Sequence, residues 1–183
     1  HNNTYGDCTM STLSVNTITA ETGNTVSLAS GKSLSVPAGV YSPGSVVQIQ
    51  EGATGTSFTT SSQTISATNL SQVITPKFQT SKFFIAVQWN ANLSGGSSAG
   101  IQVNIYKSIG GATATACGDE QISYSALSGQ GSTHHCEYSS LVDTPNTTSA
   151  ISYQFWARSH SGTSERIAAD WGFMRMTVME VAQ

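Results

Sequence analysis

Apolar side chains in this chain recur at every second position, a period that favours strands over every other element. From Lys82 the sequence sets Phe83, Ile85, Val87 and Trp89 on one face, and after a glycine-rich break at 92–100 the residues Ile101, Val103 and Ile105 repeat the pattern. Strand neighbours point to opposite faces, so such alternation writes one buried face and one open face, whereas a helix needs apolar residues three and four apart. Runs of the same kind fall at 45–50, 63–67, 71–75, 121–125, 134–142, 150–158, 164–168 and 173–182, separated by Gly, Ser, Asp or Pro. About ten short strands and no convincing helix predict an all-β fold, a jelly-roll-like antiparallel β-sandwich over residues 45–183.

Composition removes several function classes. Of 183 residues, 52 are Ser or Thr and 9% are charged, yet 38% are hydrophobic, so the low charge is not the signature of disorder. The length suits one domain with an appendage. Lys32, Lys77, Lys82, Lys107, Arg158, Arg166 and Arg175 are scattered and the net charge is -3, so no basic stripe offers phosphate neutralisation and nucleic acid is not an expected partner. No apolar run reaches bilayer length, and the first 30 residues lack a basic start and an apolar core, so membrane insertion is not expected either.

Cys8, Cys117 and Cys136 cannot all pair within one chain, and their spacing matches no zinc motif; a Cys117–Cys136 bridge stays open at this level. His134-His135-Cys136 has the residue types of a metal site, but neighbouring strand residues face opposite ways, so a polar strand is the simpler reading and no metal or other cofactor is expected.

The stretch before Pro43 follows another logic. Thr12-Leu-Ser-Val15, Thr25-Val-Ser-Leu28 and Ser33-Leu-Ser-Val36 are copies of one hydroxyl/apolar alternation. Each offers two apolar side chains, too little burial to outweigh about 1–2 kcal/mol per residue of backbone ordering. Sister chains wound about a common axis would cover those faces, so residues 1–44 are expected to be an extended stalk of a homo-oligomer. The final run, with Phe173, Met174, Met176, Val178, Met179 and Val181, has apolar groups on both faces. Either it lies inside the sandwich, or one face meets the core and the other a neighbouring subunit.

The carboxylates read as structural. Glycoside hydrolysis needs two acids flanking the scissile bond. The available acids are Asp119, Glu120, Glu137, Asp143, Glu165, Asp170 and Glu180. Asp143 reads as an Asx-type turn former ahead of Pro145, and Glu165 and Asp170 sit near Arg166 in a short loop. Glu180, among apolar neighbours, calls for a partner such as Arg175 or a backbone donor. No Gly-x-Ser-x-Gly elbow is present, so catalysis is not expected.

The segment 140–158, with its Asp143-Thr-Pro145 turn and Tyr153, followed by Met179-Glu-Val-Ala182, resembles the C-terminal β-domain of tailed-bacteriophage tail-fibre and receptor-binding virion proteins. Thr75-Pro-Lys77 and Phe83-Phe-Ile-Ala-Val87 sit where that family has a turn and its first long core strand. Thr22 to Leu34 is similar to the Gly-Lys-x-Leu repeats of marine-phage structural proteins. The resemblance implies a virion location and a homotrimer. It also implies an N-terminal part that joins other tail or capsid proteins and a sandwich at the free end that meets a host surface glycan or protein. The short shaft leaves open a fibre tip, a nozzle or baseplate appendage, or a capsid fibre without receptor binding.

Recognition of that kind calls for aromatic and amide side chains at loop ends. The loops 90–100, 109–120, 126–135 and 160–164 supply Asn90, Asn92, Tyr124, Gln130, His134 and His160 as candidate ligand contacts. Trp89 continues the Phe83–Val87 face and reads as core. Trp156 lies on the face opposite Tyr153 and Phe155, as a subunit contact or a stacking platform, and Trp171 follows a turn. Composition alone yields about two or three sequons, so those at Asn2, Asn69, Asn92 and Asn146 are weak evidence of glycosylation.

Overall fold

The structure is a computed structural model that describes residues 41–94, 99–118, 122–126, 132–167 and 172–183. The stalk copies between residues 12 and 36, Gln130, Trp171, Asp119, Glu120 and Asp170 lie outside the described residues. Eleven strands and no helix are present among the described residues, all within one unit, Tyr41–Gln183. They are β1 (Val46–Thr54), β2 (Phe58–Thr60), β3 (Ser66–Ile74), β4 (Lys82–Ser94), β5 (Gly100–Ile109), β6 (Thr115–Ala116), β7 (Ser123–Ala126), β8 (Ser132–Asp143), β9 (Ile151–Ser159), β10 (Glu165–Ile167) and β11 (Met174–Val181).

Every strand pairing is antiparallel, and the strands form two sheets. In the front sheet β4 is the spine: β8 pairs with it from Phe83 to Ser94, while its other edge is shared by β11 and, further along, β10; β1 extends the sheet beyond β11 and β2 beyond β10. In the back sheet β5 pairs with β9 from Ile101 to Ile109, β3 extends the sheet beyond β9, and β7 and β6 share the remaining edge of β5.

The alternation read from the sequence becomes the core. Phe83, Ile85, Val87 and Trp89 on β4 face Ile101, Val103 and Ile105 on β5 and Ile151, Tyr153 and Phe155 on β9, all with no exposed surface. Two aromatic pairs join the sheets, Trp89 with Phe155 at 5.8 Å and Phe83 with Tyr153 at 6.1 Å between ring centres. Each side chain of this size, fully buried, contributes about 1.5–3 kcal/mol relative to exposure.

The observed strands differ from the sequence reading at several points. The period-two pattern of β4 continues past Trp89 through Ala91 and Leu93, both fully buried, so the break begins later than Asn92. The strands on either side of that break do not pair; they belong to different sheets. The runs at 63–67 and 71–75 are one strand, β3, with two extra residues between Ala67 and Ser71 relative to β9. Thr68 holds that bulge: its hydroxyl donates to the Phe155 carbonyl (2.8 Å) and accepts from the Leu70 amide (3.2 Å), so Leu70 turns into the core. The short strands β2 and β6 have too few residues for a period to show.

The entry and exit of the sandwich are tied together. The amide of Gly44 donates to the Ala182 carbonyl (2.8 Å), and the Ala182 amide to Ser45 (3.0 Å). Glu180, with no exposed surface, closes the same end. Its Oε1 accepts from the amides of Lys77 (2.7 Å) and Phe78 (3.2 Å) and from the Ser81 hydroxyl (2.7 Å), and its Oε2 from the Gln48 amide (2.5 Å). Of the two partner types expected, backbone donors serve; Arg175 faces outward, over the Phe173 ring at 5.4 Å.

Candidate functional site

The outer face of the back sheet follows directly from its inner one. Because Ile101, Val103 and Ile105 face the core, Gln102, Asn104 and Tyr106 must face away, and on β9 the same parity turns Gln154, Trp156 and Arg158 outward. The register sets Gln102 opposite Arg158, Asn104 opposite Trp156 and Tyr106 opposite Gln154. Tyr106 and Trp156 stack at 4.2 Å with an interplanar angle of 17°, and the indole N–H donates to Gln154 Oε1 (3.1 Å). The outward position of Trp156 agrees with the sequence; its near partner within the chain is Tyr106.

Two of the candidate contacts meet at one end of this face. Tyr124 stands on β7 opposite Gln102, and its ring meets His160 edge-on at 5.1 Å. His160 follows β9; its amide donates to the Gly100 carbonyl (2.8 Å), and its own carbonyl accepts from Gln63 (2.9 Å). Gln102 links the pair to Arg158: Arg158 Nε donates to Gln102 Oε1 (2.5 Å), and Gln102 Nε2 lies 3.2 Å from His160 Nδ1. Gly100 is what lets Tyr124 lie this close, since a Cβ there would come within 2.7 Å of the phenol oxygen and 2.8 Å of a ring carbon.

The remaining candidates among the described residues, Asn90, Asn92 and His134, are elsewhere, and on strands rather than in loops. Asn90 and Asn92 project from the outer face of the front sheet, where β4 runs on to Ser94, and His134 faces Asn92 from β8. Asn90 donates to Cys136 Sγ (3.3 Å). These three form a separate group from Tyr124 and His160, because the two sheets present opposite outer faces. Sequence reasoning passed over Gln102, Arg158 and Tyr106. Their signal is the complement of the apolar alternation, the positions between the core residues of β5 and β9.

A second feature of the front sheet is an apolar row across its outer face. The register aligns Ile49, Met179, Phe84 and Val142 on four neighbouring strands, with Val46 and Val181 in the adjacent row. Ile49, Val46 and Val142 are exposed by half or more. So β11 has one face in the core and the other looking outward.

The buried polar groups are committed to structure. Asp143 is not the turn former; it ends β8, buried, in an ion pair with Lys107 (2.5 Å) and accepting from the Tyr153 hydroxyl (2.9 Å). The turn role falls to Asn146, at φ 52°, which donates to the Thr144 carbonyl (3.3 Å). Burial, and then the Asp143 carboxylate beside it, push the Tyr153 phenol well above its ordinary value. The same two causes, partly opposed by Lys107, push the Cys117 thiol up to about 12. Glu165 is buried and accepts from Thr163.

Cys117 packs against the core while Cys136 is exposed on the outer face, and both are free, so they do not pair. His134 and His135 do point to opposite faces. The Nε2 atom of His135 is the one buried side-chain polar atom among the described residues without a hydrogen-bond partner. No group of three or more His, Cys, Asp or Glu that could hold a metal ion occurs among the described residues, and no helix there is long and apolar enough to cross a membrane.

No protein-family model and no curated protein matches this chain. Among solved structures it is similar, at 14% identity and a TM-score of 0.40, to a chain in the structure of infectious bursal disease virus, Gt strain; the match covers 76% of this chain, which spans 39% of that one.

Proposed function

We propose that this chain is a bacteriophage virion appendage, a homotrimeric tail fibre or fibre tip whose sandwich recognises a host-surface glycan or protein and mediates adsorption. Residues 1–44 form its stalk and join other tail or capsid proteins. The observation that carries the reading is the grouping of Tyr124, His160, Gln102 and Arg158 beside the Tyr106–Trp156 stack on one outer sheet face. Flat aromatic surface with amide and guanidinium donors is what a sugar needs, apolar contact for its ring and donors for its hydroxyls. The reading is non-catalytic: Asp143, Glu165 and Glu180, the buried acids of the described strands, are held by structural partners. It also rests on the sequence resemblance to phage fibre domains.

The apolar row Ile49, Met179, Phe84 and Val142 gives sister sandwiches a face to share. That row equally favours a second reading, a purely structural or decorating virion protein without receptor binding. Adsorption of the isolated chain to host and non-host bacteria separates the two. Selective binding that blocks infection supports recognition, and binding to neither leaves the structural role. Light scattering is expected to give about three times 19.1 kDa.

A further inference from the structure

We infer that the outer face of the back sheet takes a carboxylated sugar, held by Arg158 and by His160 as a neutral imidazole that donates from Nε2. The inference rests on the recognition reading and names its ligand class.

The charge balance of the sheet comes first. Strands β3, β5, β6, β7 and β9 contain no Asp or Glu, and their two cations are Lys107 and Arg158. Lys107 turns inward to Asp143. Arg158 turns outward, half-buried, with its Nε given to Gln102, and no carboxylate among the described residues pairs with it. A partly desolvated guanidinium that no described carboxylate neutralises is complementary to an anion arriving from outside, and its planar fork fits a carboxylate.

The hydrogen-bond chain then fixes the imidazole. Arg158 Nε–H can only donate, so the Gln102 atom it meets at 2.5 Å is the oxygen. The other amide atom of Gln102 is therefore the NH₂, which can only donate, and the atom it meets at 3.2 Å, His160 Nδ1, must accept. An imidazole that accepts at Nδ1 is neutral and carries its hydrogen on Nε2. Arg158 thus sets the tautomer of a residue two positions along the chain, and the site presents one cationic and one neutral donor. The Tyr106–Trp156 stack and the Tyr124 ring supply the apolar surface that distinguishes a sugar acid from a bare anion.

The test uses the full chain and a panel of hexuronate and sialate oligosaccharides, each beside its methyl ester, which keeps the ring and removes the charge. The acid of at least one pair is expected to bind about tenfold or more tightly than its ester, and Arg158→Gln to abolish the difference. Nitrogen-15 shifts of the histidines are expected to show His160 as the Nε2–H tautomer, and Arg158→Gln to release that preference. Equal affinity for acid and ester throughout, no binding to any member, or a protonated Nδ1 in the wild type overturns the inference. The wild-type measurements decide it even if the variant is poorly folded. Host-cell adsorption that persists without acid preference sinks the ligand class alone; loss of adsorption sinks the recognition reading beneath it.

Discussion

Removing the Glu180 carboxylate measures how the open end of the sandwich is held. In Glu180→Ala the amides of Lys77 and Phe78 and the hydroxyl of Ser81 lose their common acceptor at once, and Ser81 has no exposed surface. Each donor left buried without a partner costs about 1–3 kcal/mol. The Gln48 amide, part-buried, can turn to water. Against this loss stands the relief of a negative charge held in a fully buried side chain, an offset of a few kcal/mol. The net expectation is a destabilisation of about 3 kcal/mol, or roughly 10 °C in melting temperature for a unit of this size. Glu180→Gln keeps an acceptor for the turn but sets an NH₂ against the Gln48 amide and loses charge assistance, so it should cost about half as much. Urea unfolding at fixed protomer concentration gives the global figure, since an oligomer's stability depends on concentration. Native-state hydrogen exchange at Lys77 and Phe78 gives the local one. An alanine variant within about 1 kcal/mol of wild type, with both amides still protected, would refute the reasoning.

Thiol labelling of the native protein should modify Cys136 quickly and Cys117 slowly, because burial and Asp143 push the Cys117 thiol up to about 12; equal rates at the two positions would count against the buried placement. Tyr153→Phe removes the donor to Asp143 while keeping the ring that packs on Phe83, so denaturant unfolding should show a loss of about 1–2 kcal/mol; no loss would mean that Lys107 alone satisfies the carboxylate. Gly100→Ala should displace the Tyr124 ring and weaken glycan binding several-fold with little change in melting temperature, whereas unchanged binding would remove Tyr124 from the site.

The motifs that carried the resemblance acquire physical meaning in the fold. Thr75-Pro-Lys77 and the Glu of Met179–Ala182 lie far apart in sequence, yet Glu180 binds the amide of Lys77 directly. Asp143 of the Asp-x-Pro turn and Tyr153 are joined by one hydrogen bond across the two sheets. These residues hold the sandwich together, and the candidate ligand face uses none of them.

Alternation by itself determined that the described residues fold as strands without a helix and which side chains of β4 and β5 form the core, because a two-residue period follows from the chemistry of the extended backbone alone. Phe83 to Trp89 and Ile101 to Ile105 were legible for that reason; the last strand, apolar on both faces, was not, and only its pairing with β1 and β4 turned Met174, Met176 and Val178 inward. Sheet membership was not. Whether β4 pairs with β5 or crosses to the other sheet depends on contacts between residues distant in the chain, and the glycine-rich break between them permits either course. The candidate site was hidden for the same cause: Gln102 and Arg158 are 56 positions apart, and only pairing of β5 with β9 brings the amide to the guanidinium.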